Sequence, residues 1–141
     1  MLRLNKTTEY GLLIMGWLIS QPHLSFAAKM ISGNIGVDLP MTKKTLHQLQ
    51  LHNFIKSSAG QDGGYTLACN PNKTTLLNLI QSIEGQPTLV PCVNNKHDCQ
   101  RWSSCLMKQC WHNIQQDVMA VFSSYTLADL LKTHEPQEKA I

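Results

Sequence analysis

The chain lacks several features that would assign it to common classes of protein. No uninterrupted apolar stretch reaches membrane length, and the first residues do not form a signal peptide with a basic start, an apolar run and a cleavage site. No internal repeat is present, and no nucleophile-base pair, phosphate-binding loop or pair of carboxylates stands out. We therefore expect a cytoplasmic protein that makes no membrane contact and is not an enzyme.

Composition limits the architecture further. With 141 residues, 43% of them hydrophobic, the chain can bury one core and carry an extension. The net charge of +3 is only mildly basic, but a symmetric dimer would double it and could concentrate it on one face. The five cysteines are an odd number without a secretory signal, so we expect reduced thiols that are available to a metal.

Three helical patterns occupy the first fifty residues. Asn5 can cap a helix that continues with apolar residues at helical spacing until residues 21–22. A short second helix is predicted from residue 26 to about residue 32, and a third begins at Pro40, where proline is tolerated in the first turn. Two short helices joined by a glycine-containing turn form the outline of a helix-turn-helix.

A hairpin is predicted directly after the third helix. Residues 54–58 and 65–68 are short strand candidates, separated by a glycine-rich turn. A fourth helix is predicted over residues 74–84. The predicted fold is therefore mainly α with a small β-hairpin, and residues 1–85 form a winged helix-turn-helix DNA-binding domain.

In such a domain the second helix of the pair enters the major groove, and its first residues reach the base edges. The predicted partner is double-stranded operator DNA, although surface lysines taken alone are often only solvated. The candidate DNA-binding residues are Arg3 and Lys6 before and in the first helix, Pro40, Met41, Lys43, Lys44 and His47 in the third, and Lys56, Gly60 and Gln61 in the hairpin.

The C-terminal third has a different pattern. Apolar residues recur at spacings of three, four and seven from about Arg101 to Ser124, which predicts one long amphipathic helix. Such a helix needs a partner, so we expect a homodimer with this helix in its interface; the alternative is a helix folded back on its own domain. We assign residues 86–132 to a cysteine loop and a dimerisation helix. This range includes a short capped helix over residues 126–131. We expect residues 133–141 to form a flexible tail.

Cys92, Cys99 and Cys105 lie in a polar segment without apolar periodicity, spaced as Cys-x6-Cys-x5-Cys. Zinc knuckles and fingers prefer shorter gaps, whereas iron-sulfur clusters tolerate wider loops. An iron-sulfur cluster is therefore the first prediction. A zinc site, a thiol-based sensor without iron, and three unrelated free cysteines are the alternatives.

The chain also resembles a known family. The runs MLRLNKTTEYG, LPMTKKTLHQLQLHNFI and GQDGGYTLA, the helix ending in SIEG, the three cysteines and YTLADLL occur in the order typical of the Rrf2 family of winged-helix regulators. The resemblance covers residues 1–132. It implies a dimeric transcriptional regulator whose DNA affinity depends on a 2Fe-2S or 4Fe-4S cluster at the three cysteines. It further implies control of iron-sulfur assembly genes, as in the IscR and SUF-system regulators, or nitric-oxide sensing, as in NsrR.

The resemblance leaves the fourth cluster ligand open. Lys108 stands where the IscR group has a histidine, whereas Glu9 aligns with an acidic residue that NsrR-like members contribute from the other subunit. If Cys105 opened the long helix, Cys110 would point about 140 degrees away from it. We rank Glu9 first, Cys110 and His97 next, and an exogenous or absent ligand last.

Overall fold

The computed structural model describes residues 3–95 and 99–132 of the protein. These ranges contain a mostly helical chain with one antiparallel hairpin, in agreement with the predicted fold class. The elements are α1 (Lys6–Ser20), α2 (Ala28–Ile35), α3 (Leu39–Leu51), β1 (Ile55–Ser58), β2 (Gly64–Leu67), α4 (Leu76–Glu84), α5 (Pro91–Asn94) and α6 (Lys108–Ser124), with short 3₁₀ segments at Trp102–Ser104 and Leu127–Leu131. None of the helices in the described ranges has the length and apolar character needed to cross a lipid bilayer.

The first two helices differ in how they begin. The Asn5 side chain accepts a hydrogen bond of 2.8 Å from the Thr8 backbone N–H, so the predicted cap of α1 is confirmed. The second helix starts at Ala28, two residues later than predicted. Phe26 cannot join it because its backbone exchanges hydrogen bonds of 3.1 and 2.8 Å with Tyr65 of β2.

The third helix completes the helix-turn-helix. Its N-cap is Asp38, whose carboxylate accepts a hydrogen bond of 3.0 Å from the Met41 backbone N–H, so the helix begins one residue before Pro40. Leu46 and Leu49 are fully buried. They hold α3 against α1 and α2, which leaves the opposite face of α3 open to solvent.

The hairpin that follows α3 forms the wing. Ile55 is opposite Leu67 and Ser58 is opposite Gly64, so the strands fall within one residue of the predicted ones. A Cβ atom on Gly64 would lie 2.5 Å from the carbonyl carbon of Phe26. Only glycine therefore lets β2 approach Phe26 closely, and this contact fixes the wing to the segment before α2.

The end of the described chain returns to the first helix. Leu127 donates a backbone hydrogen bond of 2.8 Å to Thr74, and its side chain is fully buried in the core beside α1. The capped helix predicted here is a 3₁₀ helix, opened by a capping box between Thr126 and Asp129. A hydrogen bond from Lys132, followed by those from Thr126, lowers the pKa of the Asp129 carboxyl from 3.8 to about 2.

The predicted helix from Arg101 to Ser124 is shorter than expected. The 3₁₀ turn Trp102–Ser104 comes first, Cys105 adopts an extended backbone, and α6 begins only at Lys108. The two serines of this turn favour local turn structure over a regular helix, which explains the late start. The predicted start at about Arg101 was therefore wrong by seven residues, and Cys105 lies outside the helix.

Candidate nucleic-acid interface and cysteine loop

The outer face of α3 carries an exposed positive patch. Lys43, Lys44 and His47 are exposed there, whereas Thr42 and Thr45 on the opposite side are fully buried. The helix contains no acidic residue. Within residues 3–95 and 99–132, neither lysine side chain has a hydrogen-bond or ion-pair partner. Both ammonium groups are therefore available to an anionic ligand.

The other candidates at this surface differ in accessibility. Pro40, one residue into α3, is exposed, and Met41 is half-buried. In the wing, Lys56, Gly60 and Gln61 are all exposed. The last two lie in the turn, where Gly60 has a φ of +107°, a backbone conformation that side chains rarely adopt.

The N-terminal cations have different surroundings. Arg3 is exposed, whereas the Lys6 ammonium lies 2.6 Å from the carboxylate of Glu9. The hydrogen bond and charge of Glu9 raise the pKa of Lys6 above its ordinary value. Lys6 is therefore a weaker candidate for phosphate contact than Arg3, since its charge is partly compensated within the chain.

The three predicted ligand cysteines occupy three different local structures. Cys92 lies in the short helix α5, Cys99 follows the segment 96–98, and Cys105 ends the 3₁₀ turn Trp102–Ser104. All three side chains are half-buried, and none forms a disulfide. The fourth thiol of this region, that of Cys110, is exposed in the first turn of α6.

The cysteines of the loop influence one another electrostatically. Partial burial raises the pKa of Cys92, and the nearby Cys99 and Cys105 thiols raise it further. The fold thus gathers in one region three thiols that are 13 residues apart at most in sequence.

This donor set matches the chemistry of iron-sulfur ligation, which uses cysteine thiolates. Within the described ranges, however, no three histidine, cysteine or acidic side chains are already arranged around a single metal position. The cysteine loop therefore supplies donors of the right kind, which would have to adjust their positions to bind a cluster.

The late start of α6 changes the position of the candidate fourth ligands. Since Cys105 lies outside the helix, the helical period does not fix the angle between Cys105 and Cys110, and Cys110 need not point away from Cys105. Lys108 at the start of α6 lies over the Trp102 ring, 5.2 Å from its centre. His97 falls outside the described residues.

Glu9 lies in the first turn of α1, where it pairs with Lys6 of the same chain. The main packing partners of α1 are α2, α3, α4 and the 3₁₀ helix Leu127–Leu131, whereas α5 packs on α6. Glu9 thus belongs to a different part of the chain from the cysteine loop. Its role as a ligand from a partner subunit stays a prediction.

One buried polar side chain was missed by the sequence reasoning. Gln115 of α6 is 4% exposed, and its side chain hydrogen-bonds to the segment that precedes the cysteine loop. Its amide nitrogen donates to the Pro87 carbonyl at 2.5 Å, and its amide oxygen accepts from the Leu89 N–H at 2.9 Å. The sequence held one signal for this residue, because a glutamine among the half-buried apolar residues of an amphipathic helix needs buried hydrogen-bond partners.

A helix-turn-helix with an exposed basic helix and a wing defines the class of winged-helix DNA-binding regulators. The sequence profile of the Rrf2 family, described as iron-dependent transcriptional regulators, matches residues 4–133. The chain belongs to the Rrf2 family and, like the other members it matches, is a transcriptional regulator rather than an enzyme.

Individual relatives agree with this assignment. The chain is 25% identical to the transcriptional regulator NsrR of Shouchella clausii over 132 residues, which cover 92% of this chain and 89% of the relative. Among solved structures it is similar to CymR, the global cysteine regulator of B. subtilis, with a TM-score of 0.74, 26% identity, and coverage of 92% of this chain and 96% of that one. It also shares its fold with T. potens IscR, with a TM-score of 0.72, 24% identity, and coverage of 92% and 86%.

Proposed function

We propose that the protein is an iron-sulfur cluster-dependent regulator that binds operator DNA as a homodimer in the cytoplasm and controls genes of iron-sulfur cluster assembly. The observation that carries this proposal is the gathering of three half-buried, interacting thiols at Cys92, Cys99 and Cys105. Cys92 lies in α5, which packs on α6, and α6 in turn packs on α4 of the winged domain.

The basic face of α3 supports DNA binding. Lys43, Lys44 and His47 are exposed on the helix that enters the major groove in winged-helix proteins, with Arg3 and the wing as flanking contacts. Unpaired lysines contribute mainly through phosphate neutralisation, so the binding should depend strongly on salt.

A row of exposed apolar side chains on α6 supports dimerisation. Met107 just before the helix, Ile114 and Val121 are 50%, 38% and 56% exposed, and they recur every seven residues. This is the spacing of a seam between two packed helices. The row lies about 100 degrees around the helix from the buried Gln115, so one helix can contact its own domain on one side and a partner on the adjacent side.

We call the two hydrogen bonds from Gln115 to Pro87 and Leu89 the Gln115 clamp. This clamp would connect the cysteine loop to α6. When bound, a cluster would supply iron-thiolate bonds that join Cys92, Cys99 and Cys105. The two hydrogen bonds of Gln115 hold Pro87 and Leu89, just before Cys92, against α6. A displacement of the loop would therefore reach α6 and α4 through these bonds, and a coupling of about 1 to 3 kcal/mol would change DNA affinity roughly 5- to 150-fold. The fourth ligand is proposed as Glu9 of the partner subunit, with Cys110 and His97 as the alternatives.

Selection of duplexes from a random library with anaerobically purified protein tests the DNA-binding part. The selected operator is then titrated with wild type and Cys92→Ala, with fluorescence anisotropy as the readout. We expect the operator affinity of the wild type to change at least about fivefold when iron is removed, and that of Cys92→Ala to be unaffected. Equal responses of the two proteins would contradict cluster control, and the absence of any selected sequence would contradict operator binding.

A second candidate is thiol-based sensing without iron. It is favoured by the electrostatic interaction between the neighbouring Cys92 and Cys99 thiols. Hydrogen peroxide would take the two electrons of the pair and form a disulfide with release of two water molecules. Mass spectrometry after peroxide treatment of iron-free protein distinguishes this candidate, since a Cys92–Cys99 disulfide that changes DNA affinity would support it.

A further inference from the structure

A cleft opens between the wing and the end of α1. Its volume is about 750 Å³, within the range of small-molecule sites. The wing strands form one wall, and the turn at Pro22 and His23 and the segment from Cys69 to Asn72 form the others. The cleft shares none of its residues with the cysteine loop or with α3.

One side of the cleft is polar and positively charged. Lys56 is paired with Thr66 across the two strands, and Ser58 lies two residues further along β1, so all three side chains project from the same face of the hairpin. The His23 imidazole adds a further donor group. Among the residues that the structure describes, no aspartate or glutamate lines the cleft, and the Lys56 ammonium has no partner. This wall is suited to an anion.

The remainder of the cleft is apolar. Ile19, Leu67 and Pro71 contribute hydrocarbon surface to it. A DNA phosphate or an inorganic ion would leave this surface unused. The combination of a cationic wall and an apolar wall fits a small organic molecule that carries a carboxylate or phosphate at one end.

The backbone at the cleft is also unusual. His23 has a φ of +71°, in the left-handed region that residues other than glycine rarely adopt. His23 lines the cleft in this conformation, which carries some cost in conformational energy. Such local strain is frequent at binding sites.

We propose that this cleft binds a small organic anion, with its carboxylate or phosphate against Lys56, Ser58 and Thr66 and its apolar part against Ile19 and Pro71. The site is separate from the cysteine loop and would give the regulator a second input.

A hydrogen bond connects this cleft to the DNA-contacting helix. The side chain of Gln50, near the end of α3, donates to the hydroxyl of Ser57 at 3.0 Å, and Ser57 also lines the cleft. The Ser57 side chain projects from the face of the hairpin opposite Lys56, so a ligand that displaces β1 would disturb this hydrogen bond and would also neutralise the charge of Lys56. Only this coupling to DNA depends on the proposed function.

The binding test uses the intact, ¹⁵N-labelled protein without DNA. Amide spectra are recorded during titration with benzoate, phenyl phosphate and neutral benzamide, which matches benzoate in shape. We expect benzoate and phenyl phosphate to give saturable shifts at residues 56–58 and 66, with a dissociation constant on the order of 1 mM, and benzamide to bind about tenfold more weakly.

Matched variants locate the charge. Lys56→Met should weaken benzoate binding about tenfold, whereas Lys29→Met, an equal charge change on the exposed surface of α2, should leave it unchanged. Equal binding of benzoate and benzamide, equal effects of the two variants, or no saturation by about 50 mM would overturn the proposal. Since DNA is absent, these outcomes are independent of operator binding. In a separate titration of the selected operator, saturating phenyl phosphate should lower the affinity of wild type and not that of Lys56→Met.

Discussion

Replacement of Gln115 by leucine tests how the cysteine loop is attached to α6. Leucine has a similar size but cannot donate to the Pro87 carbonyl or accept from the Leu89 N–H, the two bonds of 2.5 and 2.9 Å. An unsatisfied buried polar group costs about 1 to 3 kcal/mol. Because Pro87 and Leu89 are only half-buried, water can reach them in part, and we expect about 2 kcal/mol in total.

This loss is large relative to the stability of a small protein. Native proteins are stable by about 5 to 15 kcal/mol, and a loss of 2 kcal/mol in a chain of this size lowers the melting temperature by about 7 °C. The assay is urea denaturation of the iron-free protein followed by circular dichroism, at one fixed protein concentration because the proposed dimer would contribute to stability. Amide hydrogen exchange of Leu89 should become faster in parallel, since its N–H loses its acceptor.

The neighbouring glutamine supplies the control. Gln116 is exposed and contacts His112 on the helix surface, so Gln116→Leu should change the free energy of unfolding by less than about 0.5 kcal/mol. If the two variants were equally stable, or if exchange at Leu89 were unchanged in Gln115→Leu, the clamp would not hold the loop and the proposed route from the cysteines to α6 would fail.

Three further predictions concern the rest of the molecule. Lys44→Ala should weaken operator binding and reduce the slope of log affinity against log salt by about one unit, measured by anisotropy. Asp129, with its pKa lowered to about 2, stabilises the fold above about pH 4, and this contribution is lost as the pH falls towards 2. Asp129→Asn should therefore lower the melting temperature at pH 7 and make the melting temperature depend less on pH between pH 4 and 2. Gly64→Ala should destabilise the protein through collision with the Phe26 backbone, whereas Gly33→Ala in α2 has open space and should stabilise it by about 0.5 to 1 kcal/mol in chemical denaturation.

Each of these has a clear contrary result. An unchanged salt slope would remove Lys44 from the phosphate contacts. A melting temperature of Asp129→Asn that still fell between pH 4 and 2 as in wild type would assign the acid sensitivity to other carboxyl groups. Equal stability of the two alanine variants would mean that the wing and the segment before α2 separate easily.

The local signals in the sequence account for most of the winged domain. The Asn5 cap, the glycine-rich turn of the hairpin and the leucines of α3 are short-range features, and each produced an element within two residues of its predicted bounds. The start of α2 was wrong because the backbone of Phe26 pairs with Tyr65, 39 residues away. No local pattern reveals such a pairing.

The C-terminal third shows where sequence patterns fail. The apolar spacing from residue 101 onwards favoured one continuous helix, but the 3₁₀ turn at Trp102–Ser104 and the extended Cys105 interrupt it before Lys108. The short helix α5 and the burial of Leu127 against α1 also depend on tertiary contacts. The three cysteines could be singled out by their spacing alone. The partners of Gln115 could not, because Pro87 and Leu89 are brought to α6 only by tertiary packing.

An iron-sulfur cluster held by Cys92, Cys99 and Cys105 is the central part of the proposed function. The direct measurement is the visible absorption and circular dichroism spectrum, with iron and acid-labile sulfide counts, of wild type and Cys92→Ala purified without oxygen. We predict a coloured wild type that contains both elements, and a folded, colourless Cys92→Ala. A wild type that stays colourless after reconstitution, or a variant with an unchanged spectrum, would contradict the claim.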